Sequence, residues 1–298
     1  MKKHLFVLFM LLFSQVLFSQ ENTELEEEID EIIEDLISLD DDTLFDLIND
    51  LNKYQIIYTS VNFNTKTYFL GRDLGIDQYT FTTQAMYENS NGIYLGVSGN
   101  FYSEFDPKWD ITTVTAGYGK NLGKENNIRL ELGYSRYIFS DTDSNDFENS
   151  IDGGFYFSTP NGFFGSSITS SYLFGEKTGF QSTLSVYGDI KLFDLHSKNK
   201  SKVNFEPDLS FQFASENIDT SRFDNLGIDL PFIDRIVDSF ETFSLRNIQL
   251  QLPFIFELSD FQIEAGYNIN FPIAFDFEDS VDNTSFFNFG VSYIFNLK

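Results

Sequence analysis

Residues 261–275, FQIEAGYNINFPIAF, alternate without a break. Phe261, Ile263, Ala265, Tyr267, Ile269, Phe271, Ile273 and Phe275 are apolar, and Gln262, Glu264, Gly266, Asn268, Asn270, Pro272 and Ala274 lie between them. A strand sends successive side chains to opposite faces, so this segment reads as a strand with one apolar and one mostly polar face. The phase is strict, because a slip of one residue would exchange the two faces. A strand apolar on one side over this length needs either a second sheet to pack against or lipid.

The same pattern recurs. NIQLQLPFIFEL sets Ile248, Leu250, Leu252, Phe254, Phe256 and Leu258 against Asn247, Gln249, Gln251, Pro253 and Glu257, with Ile255 the exception. VNFEPDLSFQFA, NIRLELGYSRYIF and the closing strand follow suit. Twelve segments of this kind lie near 54–64, 77–88, 93–103, 109–122, 127–140, 150–158, 162–174, 178–194, 202–215, 242–258, 260–275 and 284–298. Most exceed the ~5–6 residues of a globular strand and suffice for the ~9–11 that a tilted strand needs to cross a bilayer. Short connections (ENSNG, GKEN, TPNG, HSKNKS, SD) alternate with mostly longer, more acidic ones (TKTYFLGRDLGID, EFDPKW, DTDSNDFEN, GEKT, 216–241, DFEDSVDN). The expected fold is all-β: a closed antiparallel transmembrane barrel of about twelve strands over 54–298, its apolar face in lipid and its polar face lining a hydrated lumen. A soluble β-sandwich also alternates, but its outer face should carry charges. Here the polar face is rich in Gly, Ser, Asn and Gln, and charges collect in the loops.

With these segments in place, the chain resembles the outer-membrane β-barrel proteins of Gram-negative bacteria over residues 54–298. The closing FGVSYIF, 289–295, is similar to the aromatic-ended last strand that the barrel-assembly machinery reads in that group, although Asn296, Leu297 and Lys298 follow Phe295. The resemblance implies that machinery, outer-membrane lipid and lipopolysaccharide as partners. Enzymes of that group, such as phospholipases, palmitoyl-transferases, lipid A deacylases and omptin-like proteases, depend on histidine. The chain has two: His4, and His196 in a short turn beside Lys198, Lys200 and Lys202. A nucleophile needs its base within hydrogen-bond reach, so no catalytic residue is assigned and no enzyme is expected.

The N-terminus fits export. Lys2 and Lys3 precede an apolar run from Leu5 to Phe13, with a polar boundary at Ser19 and Gln20. This reads as a signal peptide over 1–19, the run being short for the ~20 residues of a membrane anchor. Residues 20–53 form an acidic segment in which 21–52 hold fourteen acids and no base. Leu25, Ile29, Ile32, Ile33, Leu36 and Ile37 recur at helical spacing, and Leu44, Leu47, Ile48 and Leu51 start a second helix after LDDDT. A short α-helical periplasmic segment is expected, serving as a solvated leader, a plug or a docking arm for a periplasmic partner. The net charge of −27 argues against nucleic acid. Without cysteine there is neither a disulfide framework nor an acylation site.

The lumen-facing charges should be Glu131, Asp189, Glu206, Asp208, Glu257 and Glu264 against Arg129, Lys191 and Arg246. Glu206 and Asp208 lie two apart on one face, either as plain polar lining or as a cation-attracting constriction. In 216–241, Pro231 fits a first helical turn, and Phe232, Ile236, Val237 and Phe240 follow at helical spacing, the expected loop constriction. Asp141, Asp143, Asn145 and Asp152 have calcium-loop spacing, but Asp146 stands where that loop needs Gly. No metal and no cofactor are assigned. Together these features point to a narrow passive channel for small polar or cationic solutes, or to a non-conducting structural or partner-binding barrel.

Overall fold

The computed structural model describes residues 54–297 apart from 74, 106, 124–125, 141–146, 197–200, 216–242 and 275–279. The expected N-terminal helices fall outside these residues. Fourteen strand segments are described: β1 (Gln55–Asn64), β2 (Thr80–Asn89), β3 (Ile93–Tyr102), β4 (Trp109–Leu122), β5 (Ile128–Phe139), β6 (Asn149–Ser158), β7 (Phe164–Phe174), β8 (Thr178–Gly188), β9 (Ile190–His196), β10 (Ser201–Phe205), β11 (Asp208–Ser215), β12 (Ser244–Leu258), β13 (Phe261–Pro272) and β14 (Thr284–Leu297). β8 runs on into β9 and β10 into β11, so the segments make twelve antiparallel staves.

The sheet closes on itself. β14 pairs with β1 from Gln55↔Leu297 to Asn64↔Asn288, and β11 bridges β8 and β12. Closure removes every lipid-exposed edge, which hydrocarbon demands because no water is there to satisfy a bare N–H or C=O. A stave of ~10 residues at ~3.4 Å per residue, tilted ~45°, spans roughly 24 Å, the height of an apolar band.

The faces separate as the alternation predicts. Outward side chains are large, apolar and open, with Leu132 at 63% exposure and Phe287 at 53%. Aromatic rings gather at both rims. Phe63, Phe81 and Phe101 form a chain at 4.9 and 6.1 Å on the rim away from the termini. Phe261, Tyr293 and Phe295 do the same at 6.4 and 4.5 Å on the terminal rim. Two aromatic girdles around an apolar belt mark the two interfaces of a bilayer. Where hydroxyls do face outward they satisfy one another: Ser170 and Ser182 lie 2.9 Å apart.

The two staves read from sequence as unbroken are each interrupted. Pro207 has no N–H for the ladder, and the Gly188 amide crosses to the Pro207 carbonyl at 2.9 Å while the Asp189 amide reaches Phe163. Beyond this break β9 pairs with β10 alone, through two register shifts. Ile255 stays on the inner face, buried, because the register of β12 against β13 fixes it opposite Glu264.

Candidate functional site

The inner wall is the candidate site. Its polar residues come from the inward phase of each strand, even-numbered on β2 and β13 and odd-numbered on β5 and β12, and cross-strand hydrogen bonds join many of them.

Near the terminal rim, Arg129 on β5 is gripped by two carboxylates. Its Nη2 donates to Glu88 Oε1 at 3.0 Å and its Nε to Glu131 Oε1 at 2.5 Å. The three side chains are about three-quarters covered, so this is a partly desolvated triad with an excess of one negative charge. The Arg129 side chain runs over Gly119, where a Cβ would stand 2.6 Å from Nη2. Tyr94 lies flat across the wall in the same way, with a Cβ at Gly117 falling 2.2 Å from its ring. Tyr187 covers Gly165 at the same distance. Above the triad, Asp152 on β6 accepts from the Ser135 and Ser150 hydroxyls at 2.8 and 2.9 Å.

A second group lies across β10 and β12. Asn204 Nδ2 contacts Glu206 Oε1 at 3.4 Å and Glu257 Oε1 at 3.3 Å, and Lys202 pairs with Glu257 at 3.2 Å. Asp208 follows on the same face opposite Tyr187 and Gln251. Glu264 accepts from the Asn288 amide, and Asn268 donates to Asn288 Oδ1 at 2.7 Å.

Toward the far rim the wall becomes a lattice of amides. Asn247 Nδ2 donates to Gln212 at 3.2 Å and to Asn270 at 3.1 Å, Gln249 donates to Asn270 at 2.9 Å, and Gln251 donates to Gln249 at 2.7 Å. The loop over 65–79 folds inward onto this lattice. Its tip is a two-residue turn in which Phe69 and Arg72 exchange both backbone bonds, with φ of 45° at Leu70 and 80° at Gly71. These are the positive values that a type I′ turn requires at both central positions. The Thr284 hydroxyl donates to the Gly71 carbonyl at 2.6 Å, Tyr68 donates to the Ser285 carbonyl at 3.2 Å, and an Arg72 guanidinium N–H donates to the Ile273 carbonyl. Arg72 is 3% exposed.

Of the charges read from sequence, Arg129 and Glu131 stand paired, and Glu206 and Glu257 share Asn204. Asp208 and Glu264 lie apart on the inner face. Arg246 is buried at a bulge and donates to the Ala214 carbonyl at 3.3 Å. Asp189 sits at the stave break, and Lys191 is an exposed residue paired with Asp194 at 2.7 Å. His196 ends β9 opposite Ser201. Phe232, Ile236, Val237 and Phe240 lie outside the described residues, as do Asp141, Asp143 and Asn145 of the calcium-like spacing. Among the described residues no group of three or more His, Asp or Glu is arranged to hold a metal ion. Glu88, the place of Asp152 on the inner wall and the inward course of the 65–79 loop are the parts that sequence reasoning passed over. The inward phase of residues 77–88 and 150–158 could have named the first two.

A closed antiparallel barrel, girdled by aromatics, apolar outside and hydrogen-bonded inside, is a transmembrane β-barrel of the outer-membrane type. No protein-family model matches this sequence, and no curated protein does. Among solved structures, the chain is similar to the KdgM porin, with a TM-score of 0.45 at 10% identity over 80% of this chain and 98% of that one. It is also similar to the NanC porin, with a TM-score of 0.44 at 9% identity over 80% and 98%. An outer membrane channel from Pseudomonas putida F1 gives 0.42 at 10% identity over 82% and 95%. These likenesses are loose, and the class rests on the barrel's own geometry.

Proposed function

We propose that this chain is a narrow passive channel in the outer membrane of a Gram-negative cell, admitting small polar solutes and favouring cations. The observation that carries this reading is the posture of the inner side chains. Tyr94 and Tyr187 lie along the wall over glycines, and the amides bond to one another sideways, so the bulk is laid against the wall and not across the bore. A barrel filled for strength alone would interdigitate its inner side chains. The inner acids Glu88, Glu131, Asp152, Glu206, Asp208, Glu257 and Glu264 outnumber the cationic side chains on the same face, and low-dielectric walls screen them weakly. Since the staves are even in number, the first and last strands meet at one rim. We assign that rim to the periplasm and propose a periplasmic partner for residues 21–52.

A second reading has one observation in its favour. The 65–79 loop is bonded into the mouth, and the Asn247 and Asn270 side chains beneath it are buried, as in a barrel closed for a structural or partner-binding role. Planar-bilayer recording separates the two. The mature chain should give discrete conductance steps, larger in a form lacking residues 67–76. Silence in both forms would leave the structural reading.

A further inference from the structure

Under the inward loop lies a cavity of about 210 Å³, lined by the loop residues Lys66, Thr67, Tyr68, Leu70 and Gly71 and by inner-wall residues of β1, β11, β12, β13 and β14. We propose that this cavity is a binding site for an uncharged, polyhydroxylated solute the size of one sugar ring. The proposal rests on the channel reading for its role in transport but not for the binding itself.

The lining selects that chemistry in two ways. First, the wall is made of amides. Asn64, Gln212 and Gln249, half-buried beside the buried Asn247 and Asn270, each carry a donor and an acceptor in one plane, and a sugar hydroxyl also does both. Second, the rings of Tyr68 and Phe286, 6.1 Å apart, give the lining an apolar surface against which the C–H face of a ring can rest.

Charge and size narrow the class. The one ionic group in the lining, Lys66, is paired with Asp77 at 3.1 Å, and that hydrogen bond holds the ammonium above the ordinary lysine value. No carboxylate lines the cavity, so neither an anion nor a cation has an uncommitted counter-charge there. The volume falls below the ~300 Å³ at which drug-sized pockets begin. One ring fits, and an oligomer would have to extend into the bore. The Leu70–Gly71 turn fixes the roof: a Cβ at Gly71 would stand 2.5 Å from Asn247 Oδ1, so the close approach that forms the cavity needs glycine.

The test is isothermal titration of the full mature protein in detergent micelles with D-glucose, and separately with D-glucuronate and D-glucosamine. Titration requires no conduction, so binding without current would retire the channel and keep the site, and current without binding would do the reverse. Glucose should bind saturably with a Kd in roughly the millimolar range, as suits so few atoms. Gln249→Ala should weaken it about tenfold, and so should Tyr68→Ala, which lies on the loop and leaves the ladder intact. Heat-modifiable gel migration shows whether each variant is folded, and Gln84→Ala, on β2 and outside the cavity lining, should bind as the parent does. Tighter binding of glucuronate or glucosamine than of glucose would overturn the proposal. So would absence of saturable glucose binding, or parent-like binding by folded Gln249→Ala and Tyr68→Ala.

Discussion

Ile168 and Thr169 are neighbours near the centre of β7, and they separate the two faces at a single step in sequence. Ile168 points outward at 47% exposure, between Phe155 and Leu184 in the ladders on either side. Thr169 points inward, beside Gly154 and Thr183. If the outer face meets lipid, Ile168→Arg places a cation near the bilayer midplane, which costs ~2–4 kcal/mol. At 1.4 kcal/mol per factor of ten, the folding equilibrium falls roughly 30- to 700-fold. Thr169→Arg puts the same side chain into a wet lumen and should change stability by no more than ~0.5 kcal/mol. The backbone carbonyl of Thr169, which accepts from Ser182 Oγ at 3.1 Å, is untouched by the substitution. The assay is urea unfolding in phospholipid vesicles, followed through Trp109, the single tryptophan of the chain. Equal losses for the two variants, or a greater loss for Thr169→Arg, would refute the assignment of faces.

Further outcomes follow from the inner wall. Gly165→Val should drive the Tyr187 ring off the wall, lowering stability by ~1–3 kcal/mol and narrowing the conductance; adding Tyr187→Ala should restore current. Arg129→Gln leaves Glu88 and Glu131 without their shared counter-ion and should strengthen cation preference, read from reversal potentials. Neutralising Glu206, Asp208 and Glu264 together should weaken that preference while gel migration stays that of a folded barrel, because the change lies on the polar face.

The alternation made the barrel legible. Residues 261–275 announce β13, and even Ile255, out of phase by polarity, obeys the phase by position, because register admits no local exception. The stave breaks were hidden because Asp189 and Pro207 do not disturb the apolar count; what they disturb is the hydrogen-bond ladder. Half of the triad was readable, since Arg129 and Glu131 lie two residues apart on one strand. Glu88 was not, because its pairing spans two intervening strands. The inward loop was least visible of all. TKTYFLGRDLGID reads as one more connection, and what draws it in is a bond between Gly71 and Thr284, whose separation of 213 residues leaves no local trace. Tyrosines over glycines escape a linear reading for the same reason, since Tyr94 meets Gly117 only once β3 and β4 are in register.

The channel account is tested most directly by the reversal potential of the membrane-inserted protein in a planar bilayer, under a tenfold potassium chloride gradient. A lumen lined mainly by acids should shift the zero-current voltage toward the potassium side, between zero and the ideal limit of about 59 mV for one charge. A shift toward the chloride side would contradict the electrostatics of the wall, and no current at all would contradict the channel.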